Sequence, residues 1–295
     1  MLSTSLAFMA VVIVTFDFAL SGAKNVMLLD NNHKMVMSWS PKSACTKMVE
    51  MFWNQMGLRR GEYYPRKSFI HTYRPQFYKT YGRVTDAILA DKSYYKFKVV
   101  RNPWDRAVSS YNHLMLTKQS KYLFHNTVLR EFLTKRKYIF PSESTGFSFE
   151  EFMTLFVELD GSDLQNNYQQ DHNDQTNLHV QRQVEELEYK KWKKGGDLLF
   201  NRIVKLENFE ADIALVNHES GMNYSYPIGD DAHDAHRHVL DVDAYVGNLS
   251  WSKLKNNIPA NYAKYYNRRT KQLVQHLYRV DIDLYNYSYP YARTY

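Results

Sequence analysis

The sequence is most informative first in what it lacks. It has one cysteine, Cys45, among 295 residues. No intrachain disulfide can form, and no cysteine-rich metal site can be built. A lone cysteine reads first as a small buried apolar residue and only second as a nucleophile. Glycine is scarce at 11 residues, and none lies between Lys34 and Glu50. That gap excludes a Walker-type phosphate loop there, because such a loop needs glycines ahead of a Gly-Lys-Ser/Thr end. No uninterrupted apolar run reaches the length of a membrane span. Basic charge is in modest excess, 38 Lys and Arg against 31 Asp and Glu, a net of +7. The excess suits an anionic ligand. It is too dispersed for the dense basic stripe of a nucleic-acid binder. No internal repeat, linker or low-complexity segment interrupts the chain.

What is present is a globular composition, 44% apolar and 15% aromatic, with 24 tyrosines. Residues 6–16 form an apolar run of signal-peptide length, followed by the small residues Ser21 and Ala23. Residues 1–23 therefore read as a secretory leader or signal anchor. The absence of a preceding Lys or Arg, and Asp17 in the extended run, keep a buried N-terminal element open as the other reading. Residues 24–295 read as one domain. Asn223, Asn248 and Asn286 begin N-x-S sequons.

The chain is organised around residues 34–57. Met35, Val36, Met37 and Trp39 make a short apolar strand, which Pro41 ends. Met48, Val49, Phe52, Trp53 and Met56 then recur at helical spacing, and Gly57 is a stop. Between strand and helix lies a loop of small residues, Ser43, Ala44, Cys45 and Thr46, beside Lys42 and Lys47. Free N–H groups at a helix start, next to a lysine and a hydroxyl, form an anion site. An ordinary strand–turn–helix corner is the competing reading.

A second stretch tilts that balance. Residues 94–100 read as a buried strand, and Asn102, Pro103 and Asp105 start a helix with a cap, a first-turn proline and a box partner. Arg101 is left at a strand end, where ligands bind in open α/β sheets. Arg101 with Ser109 suits a phosphate monoester; a structural ion pair is the alternative. Further expected elements are strands over 26–29, 68–73 and 198–206. Helices are expected over 85–90, 147–159, 183–194, 209–221 and 260–278, and a helix with a loop over 122–137. Strands alternating with helices predict one α/β domain with a mainly parallel sheet. His233, His236 and His238 lie in a turn-rich stretch without a strict ligand pattern, so no metal site is assigned.

Together, Ser40 to Trp53 (SPKSACTKMVEMFW) and Val99 to Tyr111 (VVRNPWDRAVSSY) resemble the two signature motifs of sulfotransferases that use 3′-phosphoadenosine 5′-phosphosulfate (PAPS). The form is most similar to the Golgi carbohydrate sulfotransferases of the chondroitin 4-O and HNK-1 type. Arg101, Pro103, Arg106, Ser109 and Tyr111 match the second motif, with Asn102 where that family has Asp. His172 with Gln175, residues 203–208, and a tyrosine-rich pattern from Tyr265 to Tyr287 extend the resemblance over about 34–289.

The resemblance implies a P-loop-like parallel β-sheet flanked by helices, the sulfotransferase fold. It implies that Lys42, Ser43, Ala44, Cys45, Thr46 and Lys47 hold the 5′-phosphosulfate, and that Arg101 and Ser109 hold the 3′-phosphate. PAPS would be the co-substrate, with no metal. The partner would be a carbohydrate or small-molecule acceptor, with no nucleic acid. Lys42 would be catalytic, with His71 or His172 as the base and Glu62 an outsider. The secretory pathway and Golgi follow from the leader and the family, with anchoring through the N-terminus. A small-molecule kinase of P-loop type and a non-catalytic binding module of the same fold are the alternatives.

Overall fold

The computed structural model describes residues 26–65, 70–116, 134, 141–160, 180–196, 198–225 and 244–291. A four-stranded sheet organises them in the order β1-β2-β3-β4. β1 (Met27–Asp30) and β2 (Met35–Trp39) are antiparallel, with Leu28 opposite Met37. β3 (Tyr95–Val100) and β4 (Arg202–Lys205) continue in parallel, with Met37 opposite Phe97 and Val99 opposite Val204. The antiparallel pair needs only a tight turn. In that turn the Asp30 carboxylate accepts from the backbone N–H of Asn32 and His33. Each parallel pair needs a long crossover, and helices supply it.

The strands alternate. Leu28, Met35, Met37, Phe97 and Val99 face one apolar cluster, while Met27, Leu29 and Val36 face another. α1 (Cys45–Gln55) lies on the first face and buries Met48, Val49, Phe52 and Trp53. Full burial of Phe52 and Trp53 contributes roughly 1.5–3 kcal/mol each. Trp53 stacks on Phe77 of α2 (Arg74–Tyr81). α3 (Asp86–Ala90) is capped by the Thr85 hydroxyl. α4 (Pro103–Leu116) follows β3 and packs with α5 (Phe149–Asp160) and α9 (Arg268–Leu277) around Tyr111, Phe149, Phe152 and Tyr265. α5 begins with the expected capping box between Ser148 and Glu151. Along the chain, α6 (Glu186–Lys193), α7 (Phe209–Ser220) and the short α8 (Trp251–Leu254) fall between α5 and α9, and α10 (Arg279–Tyr285) follows α9.

Three expected elements differ. The expected strand over 68–73 is a turn at residues 70–73 leading into α2, because Pro75 favours the first turn of a helix. The expected helix over 260–278 is divided. A short 3₁₀ turn, Tyr262–Tyr265, stops before Asn267, whose side chain accepts from the Thr270 N–H and restarts the chain as α9. The expected helix from Gln183 starts only at Glu186, and residues 181–185 ahead of it are not helical. Residues 1–23, 122–133, His172 and the three loop histidines lie outside the described residues. Among the described residues, no helix is long and apolar enough to cross a membrane.

Candidate active site

Both motifs emerge where β2 and β3 end. The Ser40 N–H donates to the Val99 carbonyl at 3.2 Å, carrying the ladder one residue past β2. The chain then turns back on itself, with the Ser43 N–H donating to the Ser40 carbonyl at 3.0 Å. Lys42 (φ 70°) and Ala44 (φ 57°) are both left-handed, and Ser43 between them is not. Alternating hands are the backbone pattern from which anion-binding nests are built, although the Ser43 N–H is itself taken by the Ser40 carbonyl. L-residues at such φ cost about 1–2 kcal/mol each. The loop therefore takes, without a glycine, two backbone angles that glycine usually supplies.

Surrounding groups hold that backbone. The buried Arg106 of α4 donates from Nε to the Pro41 carbonyl at 2.9 Å and from Nη2 to the Gln181 carbonyl at 2.6 Å. Arg101 donates from Nη1 to the Lys42 carbonyl at 3.2 Å, so the second motif grips the first directly. Its guanidinium lies 5.7 Å from the Tyr262 ring centre. Ser109 is buried one turn beyond Arg106 on the same face of α4. α1 starts at Cys45 with no side-chain cap and no acidic residue in its first turn. A helix start of that kind carries partial positive charge.

Electrostatics follow from the packing. Burial, reinforced by the positive Arg101 and Arg106, lowers the Lys42 ammonium to about 8, although the Cys45 thiol opposes this. A cation so placed gains from an arriving anion, which would restore its ordinary pKa. Burial, with the Arg74 guanidinium beside it, lowers His71 to about 4, so the ring is neutral at pH 7. His71 Nε2 is 3.2 Å from Thr46 Oγ1 and 3.4 Å from Cys45 Sγ. Its Nδ1 is buried with no partner among the described residues. The structure thus gathers Lys42, Ser43, Ala44, Cys45, Thr46, Arg101 and His71 at one corner. Lys47 is on the first turn of α1, and Glu62 lies in a turn at residues 61–63, after that helix. His172 lies outside the described residues.

Some residues of the site carry no simple sequence signal. Gln183 is buried; its Oε1 accepts from the Arg101 N–H at 2.9 Å and the Ser43 hydroxyl at 3.3 Å. Its Nε2 donates to the Arg101 carbonyl at 2.8 Å. Asp281 accepts from the N–H groups of Gln183 and Val184, each at 2.9 Å. Lys98 is fully buried on β3 and donates to the Gln183 carbonyl at 2.5 Å and to Glu188 at 2.8 Å. Burial alone would lower the Lys98 pKa, but Glu188 and Glu185 raise it instead. The signal for Lys98 is its place in a strand buried on both faces, where a lysine requires a buried partner.

Asn102 also does more than expected. Its Oδ1 caps α4 by accepting from the Trp104 N–H at 3.1 Å. Its Nδ2 donates to the Ser288 carbonyl at 3.1 Å, which an aspartate could not do. Tyr291 is hydrogen-bonded to Asp105, and the Tyr287 hydroxyl donates to Glu207 at 3.2 Å. Residues 287–291 therefore strap the start of α4.

A mainly parallel four-stranded sheet flanked by helices, with a tight left-handed loop between β2 and α1 at its strand ends, defines a P-loop-like α/β protein. Comparison with known proteins makes this more specific. The Sulfotransferase family model matches residues 25–288, and the chain belongs to that family. No curated protein and no solved structure matches it.

Proposed function

We propose that the protein is a PAPS-dependent sulfotransferase whose acceptor is a hydroxyl group, on a carbohydrate. The observation that carries the reading is the glycine-free nest at Lys42–Ala44, tied by Arg101 to the second motif. The donor set fits a ligand with two separate anionic groups. A loop of N–H groups with Lys42 and Thr46 suits a 5′-phosphosulfate, and Arg101 with Ser109 suits a 3′-phosphate. PAPS supplies an activated sulfuryl group, and the remaining work falls to the protein.

That work is positioning and electrostatics, as in phosphoryl transfer. The acceptor oxygen forms its bond to sulfur as the bond from sulfur to the 5′-phosphate oxygen breaks. Lys42 stabilises the charge that builds on the departing oxygen. Thr46 and the nest orient the 5′-phosphate. His71 or His172 takes the acceptor proton. His71 is neutral and adjoins the loop, so it has a lone pair available, although its low basicity limits the driving force for proton transfer. The leader-like residues 1–23 support a place in the secretory pathway. Asn223, Asn248 and Asn286 are exposed and would accept glycans there, so loss of mass on glycosidase treatment of the secreted protein tests the location.

The direct test has two stages. Titration with 3′-phosphoadenosine 5′-phosphate should raise the melting temperature saturably. Stabilisation only by ATP with Mg²⁺ would replace this reading with a kinase. Transfer of labelled sulfate to a panel of glycans and small hydroxylated acceptors then separates an enzyme from a binder.

A further inference from the structure

Gln183 sits at the join between the two motifs. Its primary amide bonds both the N–H and the C=O of Arg101, the pattern of a hydrogen-bonded pair in an antiparallel ladder. The same Oε1 also receives the Ser43 hydroxyl. One side chain therefore fixes the backbone of the second motif and the middle of the first loop together. It is 2% exposed.

The amide is itself held from behind. Both carboxylate oxygens of Asp281 accept from the Gln183 N–H, and Lys98 donates to the Gln183 carbonyl. Lys98 is bonded in turn to Glu188, and the Tyr285 hydroxyl donates to the other Glu188 oxygen at 3.0 Å. Asp281, Glu188 and Tyr285 are buried. The position of Gln183 is thus set by buried groups that are not among the residues assigned to the anion site. Such support is what a precise site requires of the residues behind it.

Resting on the sulfotransferase reading above, we propose that Gln183 is a positioning residue that couples the two halves of the donor site. It makes the 5′ loop and the 3′-phosphate arginine act as one unit. A ligand that occupies one half then finds the other already aligned. Only a neutral amide of this length meets the geometry. Glutamate keeps the acceptor but sets an oxygen against the Arg101 carbonyl, and methionine keeps the volume but loses all three bonds.

The test measures affinity for three probes: 3′-phosphoadenosine 5′-phosphate, 5′-AMP and 3′-AMP. In Gln183→Met, leaving buried partners unmade is expected to weaken the bisphosphate about tenfold to a hundredfold. The summed losses for the two monophosphates should fall well short of that, because each uses only one half. Ser43→Ala severs the same bridge from the loop side without leaving a buried amide wholly unpartnered. It should show the same excess loss on the bisphosphate at smaller size, which keeps the proposal testable if Gln183→Met does not fold. Equal fractional losses on the bisphosphate and on one monophosphate in a folded variant would overturn the coupling. If the wild-type protein binds none of the probes, the donor-site reading itself fails. If it binds the bisphosphate and the variants bind it equally well, only the role of Gln183 is lost.

Discussion

The two helix starts at the site are built in opposite ways. α4 begins conventionally: Asn102 caps it, Pro103 opens it, and the Arg106 N–H closes on the Asn102 carbonyl at 2.9 Å. α1 begins from a left-handed Ala44 with no side-chain cap. The capped start has spent a donor on its own side chain, so an anion there must be met by Arg101 and Ser109. The uncapped start offers no side-chain acceptor to its first N–H groups. Strain and unmet donors gather where a ligand is expected, as is usual at functional sites. The contrast separates a helix start that the fold caps itself, at α4, from one that it leaves uncapped, at α1.

The sharpest way to break that contrast is at the charges. Lys42→Ala should abolish detectable transfer, chiefly through turnover, with a loss on the order of 10²–10³-fold in kcat beside a smaller loss of nucleotide affinity. Normal turnover in the folded variant would remove Lys42 from the chemistry. Arg101→Ala should also abolish detectable transfer at ordinary donor concentrations, but chiefly through binding, read as a rise in the Kd for 3′-phosphoadenosine 5′-phosphate. If both variants failed in the same parameter, the division between the halves would be gone.

Smaller effects should separate the two helix starts by stability. Ala44→Gly removes a left-handed penalty and should stabilise the apo protein by about 1 kcal/mol. Asn102→Ala removes a cap and the bond to Ser288, and should destabilise it by about 1–2 kcal/mol. Denaturant midpoints read both. Same-sign shifts would show that the loop is not strained relative to the capped helix.

Titration gives a subtler distinction. Lys42 lies near 8 in the free protein, so the stabilisation by 3′-phosphoadenosine 5′-phosphate should shrink as pH rises above 8, when binding must first restore a proton. A melting-temperature rise that is flat from pH 7 to 10 would deny Lys42 contact with the anion. His71 is lower in the folded state, about 4, than its ordinary 6.5. Between those values the unfolded chain holds the extra proton, so stability is full above pH 6.5 and falls as pH drops towards 4. His71→Gln should flatten that slope in pH-dependent melting.

Much of this was legible in the residues. The short apolar runs of β2 and β3 and the period-3.6 face of α1 marked the sheet and its first crossover, and Asn102-Pro103 marked the start of α4. The turn at His71 was hidden because Phe69, Ile70, Thr72 and Tyr73 are all good strand formers; Pro75 was the signal that outweighed them. The division at Asn267 was hidden because apolar spacing continues across it, and only the local competition of an Asn–Thr box ends the run. Gln183 was not legible. A glutamine at the expected start of a charged helix looks solvated, and nothing local tells that Asp281, 98 residues away, fixes its backbone.

The left-handed Lys42 and Ala44 carry one further consequence. A glycine loop is free in the unbound protein and must be ordered when an anion arrives, at an entropic cost. A loop of Lys, Ser, Ala and Cys has fewer states to lose. Its conformational cost has been met during folding, by Arg106, Arg101 and the surrounding core. Ligand capture here should therefore resemble docking onto a finished surface, with little loop closure to slow association.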